Sequence, residues 1–161
     1  MDTHDDHHHH TQAGAPSLNQ LALTATVHCL TGCAIGEVLG MMIATALDWG
    51  NAASIAVATV LAFGFGYGFT LVPLLHAGLP FAGAAALAFA SDTVSIVVME
   101  IADNLVMLLI PGAMEAGLLD PIFWISLLGS LIVAFVAALP VNRWLIARGR
   151  GHAVIHAHHD H

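Results

Sequence analysis

Four apolar stretches, each long enough to cross a bilayer, constrain this chain more than any other feature. A membrane span needs about 20 mostly apolar residues. The runs lie at about 21–47, 52–75, within 81–110, and 122–146. "DWGN", "HAGLP" and "PGAMEAGLLDP" separate them, with the Gly and Pro that turns require. The chain is 9% charged, where a soluble domain carries about a quarter. The expected fold class is all-α: a polytopic membrane protein with four transmembrane helices over residues 21–147. Tails at 1–20 and 148–161 flank it. The third run is longer than one span requires, so it either begins with an interfacial turn before Asp92 or tilts. Pro140 interrupts the fourth.

The few positive charges give an orientation. There is no lysine, and Arg143, Arg148 and Arg150 all lie at or after the end of the fourth run. The positive-inside rule places that end in the cytoplasm, and four spans return the N-terminus to the same side. The His76 connection is then cytoplasmic, and the Asp48 and Glu115/Asp120 connections are external. The residues before the first run have no positive n-region, and that run exceeds a usual signal h-region. It is read as a retained helix. The expected location is a bacterial inner membrane, with the lipid bilayer as the principal partner. Three arginines exclude a basic nucleic-acid surface.

Glu37, Asp92, Glu100 and Asp103 fall inside the runs. On insertion scales each such acid costs about 2.5–3.5 kcal/mol near a helix centre. No lysine or arginine lies at membrane depth to pair with them. Protonation, hydrogen bonds, a water-filled cavity or a bound cation remain as ways to offset the cost. The first two allow a structural role, with Ser95, Asn104, Thr31 or backbone as partners. The last two imply binding or transport.

Spacing sorts these residues onto faces. Cys29, Cys33, Glu37 and Met41 are each four apart, so the first helix carries a stripe of two thiols, a carboxylate and a thioether. Beside it run Gly32, Gly36 and Gly40, a small-residue row that admits a close helix neighbour. His28 lies beyond that row. On the third helix Asp92, Met99 and Asp103 share a face, flanked by Ser95 and Glu100. The first and third helices run parallel. At 1.5 Å per residue, Asp92 then lies near the depth of Cys29, and Met99 and Glu100 near Glu37. Singly, the cysteines, the methionines (Met107 included) and the glycine row read as core packing. An ionisable residue inside the membrane is a functional hypothesis by default.

All the histidines except His28 and His76 lie in the tails. His7, His8, His9 and His10, with His156, His158, His159 and His161, form His-rich tracts whose composition points to metal capture. Such tails lack the apolar content to fold alone.

"HCLTGCAIGEVLG", "SDTVSIVVMEIADN", "PGAM", "FW" and "PVNRWLIARGRGHAVIH" resemble a bacterial four-helix membrane family catalogued as domain of unknown function 4396. The resemblance runs from about residue 26 to 156. It implies a small polytopic membrane protein and no particular activity.

The residues therefore carry the functional expectation. Thiol and thioether ligands suit Cu(I) and Zn, and carboxylates suit harder cations such as Mn. The leading expectation is a metal-cation transporter or channel, with one of these transition-metal ions as cargo. It would act as a homodimer packed through the glycine rows. One alternative is a membrane metal-binding, sensing or accessory protein that moves nothing. A second is a membrane thiol redox protein using Cys29 and Cys33, although cysteines four apart on a helix are poorly aimed for a bridge. No nucleophile–base pair or phosphate loop suggests an enzyme.

Overall fold

A computed structural model describes residues 16–148. It contains α1 (Leu18–Ala46), α2 (Asn51–His76), α3 (Phe81–Leu109) and α4 (Pro121–Ala147), and no strand among the described residues. All four are long and apolar enough to cross a membrane. They form an up-down-up-down bundle. α1 packs on all three other helices, and α2 and α4 stand on the open diagonal. This is a multi-pass membrane protein.

Local chemistry sets the helix ends. Ser17 and Gln20 form a capping box at the start of α1, each taking up the other's backbone N–H. Asp120 caps α4 by accepting from the Ile122 N–H, with Pro121 in the first turn. Gly78 turns the chain after α2 with φ 86°, a backbone region open to glycine at no cost. α3 is a single continuous helix from Phe81, with no separate interfacial turn before Asp92. At 1.5 Å per residue it exceeds a hydrocarbon core of about 30 Å, which tilting accommodates. α4 continues through Pro140 to Ala147, and α2 through Pro73. A bilayer tolerates such prolines because the freed backbone groups find local partners.

The faces are sorted by size and polarity. The outside carries Leu23, Val60, Phe89, Ile101, Ile125 and Val136, which suit lipid. The inside is built from small and polar side chains, at a spacing of three to four on each helix. On α4 these are Ser126, Ser130, Ala134, Ala138 and Asn142. On α2 they are Ser54, Ala62, Gly66 and Thr70. Small residues let helices approach closely where lipid removes the hydrophobic drive between them.

The glycine row of α1 lies on α2 of the same chain. A Cβ on Gly32 would stand 2.8 Å from the Gly66 backbone, and Gly36 and Gly40 face Ala62 and Ala58 in the same way. The expectation of a homodimer packed through these glycines is corrected here: α2 already fills that face.

Candidate functional site

The four intramembrane acids all point inward. Glu37 is 9% exposed, Asp92 1%, Glu100 5% and Asp103 4%. Cys29, Cys33 and Met99 are buried with them in one core cluster, and both cysteines are free thiols. Met41 is half-buried further along α1. The periodicity arguments thus bring the α1 and α3 stripes to a common interior.

Along the bundle axis the residues form three levels. Nearest the Arg143 end, Asn142 Nδ2 donates to Thr26 Oγ1 (2.8 Å), while Thr26 Oγ1 donates to the Ala22 carbonyl (2.7 Å). Next come Asp92, Cys29 and Ser95. Ser91 Oγ donates to Asp92 Oδ1 (2.8 Å), and Cys29 lies against Ser95 and near Asp92. Deepest from that end, Glu37 approaches Asp103, Ser130 approaches Asp103, and Glu100 is reached by Cys33 and Thr59. The first two levels lie between the acid cluster and the arginine end.

Hydrogen bonding around the acids is sparse. Both carboxylate oxygens of Glu37 and of Glu100, and Oδ1 of Asp103, are buried without a hydrogen bond of good geometry. Of the expected structural partners, Asn104 also lies against the Glu100 carboxyl, whereas Thr31 turns outward. Asn104 Nδ2 donates to the Glu100 backbone carbonyl (2.9 Å). Thr31 is exposed and donates to the Val27 carbonyl (2.8 Å). Asp92 Oδ1 accepts from Ser91 Oγ. Leaving buried polar atoms unsatisfied is costly, and such groups in a native fold call for an ion, water or a functional reason.

A cavity of about 40 Å³ opens beside this cluster, enough for a water molecule. Glu37, Met41, Ser54, Asp103, Met107 and Met114 are among the residues that line it. It lies toward the end of the bundle where α1 meets α2 and α3 meets α4, away from Arg143. Ala113 and Ala116 of the α3–α4 connection pack with Met107 and Phe123 around it. Among the described residues, no group of three or more His, Cys, Asp and Glu side chains is arranged to hold a metal ion.

Sequence periodicity had a signal for Met107, which continues the α3 face one turn beyond Asp103. It had none for Met114, which lies in an irregular connection. Ser130 and Asn142 belong to the four-residue stripe of α4, a helix that reads from sequence as less polar. His7, His8, His9 and His10, together with His156, His158, His159 and His161, lie outside the described residues.

Residues 18–151 match the family model described as Domain of unknown function (DUF4396). The chain belongs to the DUF4396 family. No match to it was found among curated proteins or solved structures. In this DUF4396 chain, the chemistry-bearing side chains within the membrane lie in the bundle interior.

Proposed function

We propose that this protein is a membrane transporter or channel for a metal cation, and that Glu37, Asp103 and Glu100 form its binding station. The observation that carries this reading is the cluster of three buried carboxyl groups, two of which, Glu37 and Asp103, line a small cavity. No arginine or lysine lies at their depth, and neither Glu37 nor Glu100 has a hydrogen bond of good geometry, although Asp103 approaches the first and Thr59, Cys33 and Asn104 approach the second. A cation supplies the missing positive charge. Asp92, Cys29 and Ser95 continue the polar interior toward the arginine end, and serve as the next station. The arginines put that end in the cytoplasm by the positive-inside rule. The cavity then faces the external side, and both chain ends are cytoplasmic.

The Thr26–Asn142 hydrogen bond ties α1 to α4 across the interior at the arginine end. That fixed link favours a second reading: a membrane metal-binding or sensing protein that moves nothing. One experiment separates the two. The full chain is reconstituted in liposomes, and uptake of Ag(I), Zn(II) and Mn(II) is followed for wild type and for E37Q/E100Q. Uptake of one cation that the variant loses supports transport. Binding without uptake favours the static reading. Neither binding nor uptake overturns both.

A further inference from the structure

Three thioethers line the same cavity as the two carboxylates: Met41 from α1, Met107 from α3 and Met114 from the α3–α4 connection. The three come from separate parts of the chain. Glu37, nine-tenths buried, lines the cavity with them; Asp103 approaches it, but neither of its carboxylate oxygens has a hydrogen bond of good geometry. Methionine is a common filler of irregular cores, and filler alone would account for the sulfurs. It would not account for two facing carboxyl groups, Glu37 and Asp103, lining the same space inside a membrane bundle.

We propose that this cavity is a binding site for a soft monovalent cation, Cu(I) or its redox-inert counterpart Ag(I), with Met41, Met107 and Met114 as the thioether ligands. This assignment rests on the cation-transport reading and names its cargo class. Donor chemistry selects the ion. Zn(II) is held by about four nitrogen, thiolate or carboxylate ligands, and Mn(II) by carboxylate, carbonyl and water oxygens. Thioethers match Cu(I) in softness. They are also uncharged, so one carboxylate at Glu37 or Asp103 suffices to balance a monovalent ion within the membrane.

The test uses the six methionines of the full chain. Protein labelled with ¹³C at the methionine methyl groups is titrated with Ag(I) in micelles. The expected result is that the Met41, Met107 and Met114 resonances shift together and saturate near one equivalent, while lipid-facing Met42 stays in place. M41L/M107L/M114L should bind Ag(I) at least about tenfold more weakly by calorimetry, a loss of about 1.4 kcal/mol. Met-to-Leu exchange conserves volume, and the single M107L variant provides the same readout with the least disturbance. Unmoved resonances at these three residues, or undiminished Ag(I) affinity in the triple variant, overturn the soft-ion site. If Zn(II) or Mn(II) uptake still depends on Glu37 in that case, the transport reading stands without it. Methionine shifts without any cation flux into liposomes support the site and overturn transport instead.

Discussion

Asn142 on α4 and Thr26 on α1 are joined by a 2.8 Å hydrogen bond, both side chains being buried. Thr26 spends its own proton on the Ala22 carbonyl, so it can only accept from Asn142. This pair ties the bundle at the arginine end, and it is the long-range side-chain link between α1 and α4 in the interior. A double-mutant cycle with N142A and T26V should give a coupling of about 0.6 kcal/mol, the usual size for such bonds within a membrane. Reversible unfolding in mixed micelles measures it. A coupling indistinguishable from zero would mean that the pair does not hold the helices together.

The glycine row makes a sharper prediction. Gly36 is pressed against the Ala62 backbone, whereas Gly64 has open space where a Cβ would go. G36A should cost about 1–3 kcal/mol through overpacking, since backbone rather than a flexible side chain stands in the way. G64A should be neutral or slightly stabilising, because alanine restricts the unfolded helix more than glycine does. Thermal unfolding of the two variants in micelles should therefore move in different directions. Equal effects would argue that α1 and α2 are not packed along this face.

The glycine row also marks how much of this structure was legible in the sequence. Helix number and extent followed from run length, because a bilayer requires about 20 apolar residues and imposes no tertiary condition on them. The inward direction of Cys29, Cys33, Glu37, Asp92 and Asp103 followed from helical period, because lipid penalises these side chains individually. Which helix receives the glycine row did not follow. A small-residue face is equally suited to a neighbour in the same chain and to a second copy. Met114 was out of reach for a different reason: it lies in an irregular connection, where period carries no information. Pro140 read as an interruption because the rule for water-exposed helices forbids it, while the bilayer relaxes that rule.

Glu37 faces Asp103, and an ionised carboxylate can only accept hydrogen bonds. E37Q places an amide donor opposite Asp103 at almost unchanged volume. The variant should be at least as stable as wild type in thermal unfolding. Cation uptake should fall by about tenfold or more, the loss of one ligand worth about 1.4 kcal/mol. Gain of stability with loss of activity is the pattern expected when a functional group is held at a structural cost. A variant that loses stability and keeps uptake would assign Glu37 a structural role.

Orientation is tested by cysteine accessibility. Met114 is half-buried at the cavity, and Arg148 is exposed at the opposite end, its guanidinium 4.1 Å from the Trp144 ring centroid. Cys29 and Cys33 are 2% and 1% exposed, and replacing both with serine removes any background from them. In that background, M114C should react with a membrane-impermeant maleimide added outside intact cells. R148C should react only after the membrane is permeabilised. The reverse pattern would invert the topology and turn the cavity toward the cytoplasm. Labelling of M114C also reports on water at the cavity. A residue sealed in apolar packing stays unmodified from either side, whereas one at a wet entrance reacts within minutes.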